Sequence, residues 1–304
     1  MRGSSLPPRK PSQGRAGVWA PLLFIAPSAL LLLGFFFVPI AAAFLMSFSD
    51  LNLYSLGDWR RTSFVGFGNY VALLRDGLFW RAMANTFYFV LVGGPLTVVV
   101  SLCAALTLNS RLVRCRSLFR LGFFMPVVTT LVAVAVIWRW LYHPRFGLIN
   151  YLLSLVGARG PDWLASTTWA MPALILMAVW KNFGYNMIIF LAGLQTIAPS
   201  YYEAARIDGA SGWQSTLYVT LPLLAPTTLF VSIVTTIGYL QFFAEPYIMT
   251  QGGPLDSTLS VVLLMYQEAF KFWNMGYAAA IAFTLFAVIF VLTMLQVRLQ
   301  RQHL

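Results

Sequence analysis

The side chains best suited to chemistry in this sequence lie within one strongly apolar segment and at the end of another. The first group is Lys181, Asn182, Tyr185 and Asn186, and the second is Tyr239, Gln241, Phe242 and Glu245. Asn182 and Asn186 are four residues apart and therefore share one face of a helix, with Tyr185 beside them. Polar side chains deep in an apolar segment mark solute pathways. Because amides bind hydroxyl groups and aromatic rings cover apolar C–H faces, these residues predict a path for a sugar.

Two structural alternatives compete with that prediction. Asparagines in membrane helices commonly hydrogen bond a neighbouring helix, and Lys181 is equally suited to pair with a carboxylate of a partner subunit. An enzyme is not expected, because the sequence offers no Ser/His/Asp set, metal-ligand cluster or carboxylate pair. ATP hydrolysis is not expected in this chain either, since none of its three lysines follows a Gly-x-x-x-x-Gly phosphate-binding loop. We therefore expect no metal or cofactor in the chain itself.

The segment from residue 195 to residue 222 is the longest polar interruption between apolar segments in the C-terminal half. Pro199 and Ser200, followed by Glu203, predict a capping box that opens a helix from Tyr201 to Ile207. Such a short helix at a membrane surface either touches a partner or rests on lipid.

The same segment contains a turn and a second short helix. Gly209 supplies the left-handed residue that ends the first helix, and Ser211 is expected to cap a second one reaching Val219. Leu221 and Pro222 then begin the next apolar span, where a proline in the first turn is tolerated. The pattern predicts a helix–turn–helix across the mouth of a membrane domain.

Composition identifies the apolar segments as membrane spans. The chain is 59% hydrophobic and 10% charged, with mean hydropathy +0.75, against about 45–50% and about 25% for a soluble domain. Its net charge of +11 does not indicate nucleic acid, because many basic residues stand at the ends of apolar runs, where they contact lipid headgroups. Cys103 and Cys115 give no disulfide or metal pattern and are expected to be inert thiols.

An all-α, polytopic fold with six transmembrane helices follows from the apolar windows. These windows are Val18–Phe48, Ala84–Leu108, Leu121–Leu141, Trp169–Leu191, Leu223–Ala244 and Tyr277–Val297. The membrane domain is predicted over residues 18–299, between a disordered tail at 1–17 and a short tail at 300–304.

Basic residues in short loops set the predicted orientation. They are Arg2, Arg9, Lys10 and Arg15 before the first span, Arg111, Arg114, Arg116 and Arg120 after the second, and Arg298 and Arg301 after the sixth. The positive-inside rule places both termini, and with them the 195–222 loop, in the cytoplasm.

The 195–222 loop also carries a recognisable pattern. Glu-Ala-Ala-x-x-Asp-Gly-Ala from Glu203, with Val-x-Leu-Pro from Val219, resembles the signature loop of the membrane subunits of binding-protein-dependent ABC importers. Val219 replaces the usual isoleucine. The resemblance implies that the loop is a cytoplasmic coupling element seated in a groove of an ATPase subunit. Its coupling residues would be Tyr202, Glu203, Ala204, Ala205, Asp208, Gly209, Leu221 and Pro222.

A second pattern narrows the resemblance. The residues Thr250-Gln251-Gly252-Gly253-Pro254 look like the Thr-x-Gly-Gly-Pro segment of sugar-type permeases, of the compact six-span oligosaccharide or glycerol-3-phosphate kind. That resemblance implies a bacterial or archaeal inner membrane, a second homologous permease, an extracytoplasmic solute-binding protein and an ATPase dimer that binds ATP and Mg. The rival hypothesis is an ion-coupled transporter or channel, which needs a buried carboxylate, whereas the only charge deep in a predicted span is basic.

Overall fold

Helices form all of the regular structure. The computed structural model describes residues 16–52, 62–110 and 115–301, and within these ranges no strand forms beyond an isolated bridge between Ser49 and Phe64. The α-helices are α1 (Ala16–Leu32), α2 (Val38–Met46), α3 (Gly68–Arg75), α4 (Gly77–Tyr88), α5 (Gly94–Asn109), α6 (Arg116–Val128), α7 (Leu131–Leu141), α8 (Leu148–Leu155), α9 (Ala170–Gln195), α10 (Pro199–Ile207), α11 (Gly212–Ser215), α12 (Leu221–Leu223), α13 (Ala225–Leu240), α14 (Ala244–Met249), α15 (Val261–Tyr266) and α16 (Met275–Arg301). π-Helical turns occupy Leu33–Phe37, Phe89–Gly93, Thr216–Thr220 and Gln267–Lys271. The prediction of an all-α chain is confirmed.

The described residues contain four to six candidate membrane spans, a range that includes the six predicted from the sequence. Four helical segments are long and apolar enough to cross a membrane, namely Leu23–Met46, Gly77–Asn109, Ala170–Gln195 and Met275–Leu299. Two bent pairs qualify when each is counted as one span, which raises the total to six. The fold is therefore that of a multi-pass helical membrane protein.

The predicted third span is broken in the middle. Helices α6 and α7 meet at 99°. Thr129 and Thr130 between them have extended backbone, with ψ of 138° and 140°, and the Thr130 hydroxyl accepts a hydrogen bond from the amide of Ala133 at 3.4 Å. The break did not show in the sequence pattern because the residues on both sides of it are equally apolar.

The fifth span also differs from its prediction. The segment Gly212–Leu223 meets α13 at 65°, and α13 runs only from Ala225 to Leu240. Leu221 and Pro222 lie on the loop side of this bend, in the first segment of the bent pair. Proline at the start of both α12 and α13 accounts for the bend, because each proline lacks the amide that a continuous helix needs.

Helix α9 lies at the centre of the fold and packs against α5, α6 and α13. Glycine permits two of these close approaches. A methyl group added at Gly184 would collide with the backbone carbonyl of Phe123 in α6, and one added at Gly193 would lie 2.6 Å from the Thr227 hydroxyl in α13. Small residues at membrane helix interfaces allow such close packing.

Several predictions concern segments at the edges of the described ranges. Helix α1 begins at Ala16, inside the predicted tail, and α16 reaches Arg301, inside the predicted C-terminal tail. Residues 1–15 and 302–304 lie outside the described residues, as do Arg111 and Arg114.

Candidate functional site

A cavity of about 290 Å³ lies between α9 and α13, and we name it the solute cavity. Its lining consists of Val127, Asn182, Tyr185, Asn186, Val234, Thr235, Gly238, Tyr239 and Glu245. The structure thus brings together five residues that the sequence singled out: Asn182, Tyr185, Asn186, Tyr239 and Glu245. Amide, hydroxyl and carboxyl groups meet two aromatic rings there, which is a lining suited to a polyhydroxylated solute.

The two asparagines of the solute cavity are held by different partners. Asn186 is only 4% exposed, and its side-chain amide donates to the Thr235 hydroxyl of α13 at 2.9 Å. The amide of Asn182 donates to the carbonyl of Ala178, one turn back in α9, at 2.9 Å. Asn186 therefore joins two helices, as the structural alternative proposed, and the Asn182 side chain, which also interacts with the Tyr239 side chain of α13, faces the cavity.

Tyr239 connects the solute cavity to α5. Its hydroxyl shares a hydrogen bond with the Thr97 hydroxyl at 2.7 Å, and its ring packs on that of Phe89 with centroids 5.0 Å apart. Phe242 stacks on the other side of this cluster, parallel to Phe89 at 3.9 Å, and is 3% exposed. Phe242 therefore supports the wall without lining the cavity, and Gln241 lies exposed at the end of α13.

Lys181 does not line the solute cavity either. Its ammonium donates to the carbonyls of Pro126, Val127 and Thr129 at 3.2, 3.5 and 3.1 Å. These are carbonyls at the C-terminal end of α6, where helical oxygens lack partners and the helix dipole favours a cation. The sequence suggested that Lys181 either contacts solute or pairs with a carboxylate of a partner subunit. In the structure its hydrogen bonds go instead to backbone carbonyls at the break in the third span.

Glu245 is the acidic group of the solute cavity. It lies in the first turn of α14, the short helix after the fifth span, and is 7% exposed. The Lys181 ammonium is near enough for its charge to act on this carboxyl group, although the two do not form a direct ion pair among the described contacts. Glu245 is therefore more deeply placed than its position at the predicted edge of a span indicated.

The first helix of the 195–222 loop begins two residues earlier than predicted, at Pro199 instead of Tyr201. Helix α10 starts at Pro199, and its N-cap is Ala198, whose backbone is extended with ψ of 136° and which makes no side-chain cap. A residue before proline avoids the helical conformation, so Pro199 takes the first helical position and Ser200 falls inside the helix. The predicted capping box between Ser200 and Glu203 is therefore wrong.

The turn after α10 forms as predicted. Gly209 has φ of +78°, and the amides of Gly209 and Ala210 donate to the carbonyls of Arg206 and Ala205 at 3.0 and 2.9 Å. This pair of hydrogen bonds is a Schellman motif, which fixes the direction in which the chain leaves the helix.

The second arm of the loop is capped and joined to the first. Ser211 caps α11, as predicted, and forms a capping box with Gln214, at 3.3 Å in one direction and 2.7 Å in the other. The Tyr202 hydroxyl shares a hydrogen bond with the Thr220 hydroxyl at 3.1 Å, which ties the two arms together. Exposed side chains cover the outside of the loop, namely Tyr201, Glu203, Ala204, Ile207, Asp208, Trp213 and Tyr218. The result is a braced surface with an apolar and aromatic face.

The Thr-x-Gly-Gly-Pro segment forms a tight turn beyond α14. The Thr250 and Thr258 hydroxyls lie 2.7 Å apart, and the Thr258 hydroxyl donates to the carbonyl of Gly253 at 2.7 Å. Gly252 has φ of +89°, a conformation that glycine adopts without strain. These hydrogen bonds hold the motif in a tight turn directly after the helix that carries Glu245.

Sequence reasoning missed Thr235, Gly238, Val234 and Val127 as lining residues. Thr235 stands four residues before Tyr239 on the same helix, so helical spacing was a usable signal for it. Val127 gave no such signal, because it reaches the cavity only through the break between α6 and α7.

Fold and site together define a multi-pass helical permease with a polar cavity between its central helices. Residues 65–302 match the family described as binding-protein-dependent transport system inner membrane component. The lactose transport system permease protein LacF of Rhizobium radiobacter is 37% identical over 286 residues, covering 92% of this chain and 94% of that protein. The arabinooligosaccharides transport system permease protein AraP of Bacillus subtilis is 35% identical, covering 92% and 88%. This chain belongs to the family of binding-protein-dependent inner membrane transport components.

Two further similarities agree with that assignment. The sulfoquinovosyl glycerol transport system permease protein SmoG of Agrobacterium fabrum is 35% identical over 280 residues, covering 92% of this chain and 90% of that protein. A crystal structure of a bacterial alginate ABC transporter, in complex with a periplasmic protein bound to an alginate pentasaccharide, includes a chain with TM-score 0.78 at 22% identity. That comparison covers 94% of this chain and 96% of the other, and it shows that the two share a fold.

Proposed function

We propose that this chain is the permease subunit that carries a sugar across the membrane in an ATP-driven ABC importer. The solute cavity is the observation that carries the proposal. Asn182 and Glu245 offer polar groups and Tyr185 offers an exposed ring, next to the buried Tyr239. The relatives named above are transport proteins for lactose, arabinooligosaccharides and sulfoquinovosyl glycerol, and such solutes present both hydroxyl groups and C–H faces.

The continuity of the chain supports coupling between the 195–222 loop and this cavity. The loop follows the end of α9 at Gln195 and leads through the bend at Leu224 into α13. Because α9 and α13 form the cavity walls, a force on α10 reaches both walls directly. The Schellman turn and the hydrogen bond between Tyr202 and Thr220 brace the loop, which supports its proposed role in passing that force on.

We propose three kinds of partner for this arrangement. An ATPase dimer on the cytoplasmic side would bind ATP and Mg and contact the exposed loop. A second homologous permease would complete the pathway, and a solute-binding protein would deliver the sugar from the outside of a bacterial or archaeal inner membrane. Closure of the ATPases would then tilt α9 and α13 as rigid bodies and alternate the access to the cavity.

One observation favours the rival, ion-coupled mechanism. Glu245 is buried and lines the cavity, and a buried carboxylate is the group that such a mechanism needs. The two mechanisms differ in their energy source. Uptake into vesicles that contain this chain alone, driven by a proton gradient, would support the rival, whereas dependence on ATP and a separate ATPase supports the importer.

The turn at Gly209 gives the test of coupling. Proline cannot adopt φ of +78° and has no amide to donate to Arg206, so Gly209→Pro should distort the turn and uncouple ATP hydrolysis from uptake. Gly212→Pro is the matched control, because Gly212 is the first residue of α11, where proline is tolerated, and Ser211 before it already has ψ of 163°. Uptake and ATP hydrolysis are measured on the same proteoliposomes. Normal coupling in the Gly209→Pro complex would contradict the proposal.

Tyr185 gives the test of the cavity. Its ring is 47% exposed and lines the cavity, so Tyr185→Ala should lower sugar uptake about tenfold through lost ring contact, with ATP hydrolysis retained. Tyr88 is 46% exposed and lies away from the cavity, so Tyr88→Ala should leave uptake unchanged. Uptake is measured with saturating solute-loaded binding protein. Equal loss in both variants would show that the cavity is not the path.

A further inference from the structure

A basic surface lies at the end of the molecule opposite the 195–222 loop. We name it the arginine platform, and it consists of α8 with its flanking segments, residues 143–165. A cavity of about 710 Å³ opens on it, and both Arg145 and Arg159 line this cavity. In the described part of the chain, neither guanidinium group makes a hydrogen bond or an ion pair. Two arginines thus line one cavity, and their side-chain donors have no partner among the described residues.

The platform is rigid because Asn150 holds its two sides together. The Asn150 amide donates to the carbonyls of Pro144 and Pro161, both at 3.2 Å, and its oxygen accepts from the Trp163 indole at 2.7 Å. A methyl group added at Gly160 would collide with this amide. The backbone segments that carry the two arginines are therefore held together before any partner arrives.

The platform adjoins the end of the solute cavity that contains Glu245. The Arg139 guanidinium, on α7 just before the platform, donates to the carbonyl of Ile248 at 3.4 Å, and Ile248 belongs to α14, the helix that contains Glu245. A further cavity of about 430 Å³ separates the platform from the turn at Thr250. Helix α9, with 26 residues and therefore a length of about 39 Å, separates all of this from the 195–222 loop.

The charge and the rings of this surface indicate what it binds. The platform contains two arginines and one acidic residue, Asp162, whose carboxylate already accepts from the amide of Ala165 at 3.3 Å. The rings of Phe146 and Tyr151 are 66% and 59% exposed beside the cavity. Arginine together with exposed aromatic rings is typical of protein interfaces, and a guanidinium binds a carboxylate through two parallel hydrogen bonds.

We propose that Arg145 and Arg159 form the docking site for carboxylate side chains on an acidic surface of the solute-binding protein. The inference rests on the proposed function, which places this end of the molecule outside the membrane. Paired guanidinium–carboxylate contacts on a rigid frame would fix the orientation of the binding protein. They would hold its solute above α14 and the turn at Thr250, next to the solute cavity.

The test uses the assembled transporter in phosphatidylcholine nanodiscs, with the solute-loaded binding protein of the same transport system as the titrant. In R145E/R159E, the binding-protein concentration that gives half-maximal ATP hydrolysis should rise about tenfold, because two attractive contacts become repulsive. The increase should shrink between about 0.05 M and about 0.5 M salt. R145K/R159K should give a smaller increase than R145E/R159E, because lysine keeps the charge but loses the second parallel hydrogen bond. Arg75→Glu, at an exposed arginine outside the platform, should change the half-maximal concentration less than twofold.

Three outcomes would overturn the proposal. In the first, the half-maximal concentration in R145E/R159E stays within twofold of wild type. In the second, Arg75→Glu weakens binding as much as the platform variant does. In the third, the defect appears only when phosphatidylglycerol is added to the nanodiscs. The last outcome would make the platform a lipid headgroup site. Failure of the proposed function is distinguishable, because the wild-type complex would then show no stimulation by the binding protein at all.

Discussion

Lys181 shows how one charged side chain serves the structure of a transport path without entering it. A lysine in the middle of an apolar helix needs partners, and here they are the backbone carbonyls of Pro126, Val127 and Thr129. These carbonyls lack helical partners because the third span breaks after Val128. We therefore assign Lys181 a positioning role: it holds the end of α6 against α9 and keeps Val127 at the cavity wall.

Removing the ammonium of Lys181 tests this role. Lys181→Met keeps the length of the side chain but leaves the carbonyls of α6 unsatisfied, which should cost about 1–3 kcal/mol of stability. Lys271 is exposed and its ammonium lies 5.5 Å from the ring of Phe272, so Lys271→Met should change stability by less than about 0.5 kcal/mol. Thermal unfolding of the purified protein in detergent measures both. Equal midpoints for the two variants would contradict the assignment.

At the residue scale, the sequence predicted the asparagine and tyrosine positions of the cavity better than the charged ones. Asn182, Tyr185 and Asn186 line one cavity because helical spacing alone places them on one face of α9. Lys181 and Phe242 were chosen for the same path, yet their contacts depend on a helix break and on an aromatic stack with Phe89. Such tertiary contacts leave no periodic signal in the chain.

At the scale of elements, the fold depends on how closely α9 approaches α6. Gly184 makes this approach possible, since any side chain there would meet the backbone of Phe123, which cannot move aside as a flexible side chain would. The bent α6–α7 pair is thereby held on the face of α9 that also presents Lys181 to the break. The close contact at Gly184 and the hydrogen bonds of Lys181 therefore both hold the end of α6 against α9.

The glycines of the two helices provide a matched pair of variants. Gly184→Ala should destabilise the protein by about 1–3 kcal/mol through overpacking. Gly122→Ala on α6, where the added methyl group meets nothing within 4 Å, should keep or raise stability, because alanine favours the helix by about 1 kcal/mol over glycine. Thermal unfolding in detergent compares them. A Gly184→Ala protein as stable as Gly122→Ala would show that the helices are not in close contact.

Helix number and helix type were readable from the sequence, whereas helix breaks were not. Hydrophobicity measured over a window identifies a span by its mean, and a single extended pair such as Thr129 and Thr130 hardly changes that mean. The loop was more informative, because Gly209 and Ser211 act through local backbone geometry that neighbouring residues specify. Its first cap was mispredicted because Pro199 restricts Ala198 more strongly than Ser200 attracts a cap.

At the scale of the whole molecule, one stiff loop joins the two helices that form the solute cavity. The exposed outer side of α10, which includes Tyr201 and Ile207, has no partner within the described residues and faces away from the helical core. The account requires that an ATPase subunit covers this surface and moves it. The arginine platform at the other end of α9 would receive the binding protein. Movement of the ATPase and docking of the binding protein would then both act on α9 and α13.

Crosslinking from Ala204 tests this central claim most directly. Ala204 is exposed on α10, and a cysteine placed there, after replacement of the exposed Cys103 and Cys115 by serine, is treated with a bifunctional maleimide in membranes containing the whole transport system. Ala158→Cys, exposed on the platform, is the control. We predict that Ala204→Cys captures a nucleotide-hydrolysing subunit and that Ala158→Cys does not. Capture of no ATPase by Ala204→Cys in an actively importing complex, or labelling of that cysteine from outside intact cells, would contradict the account.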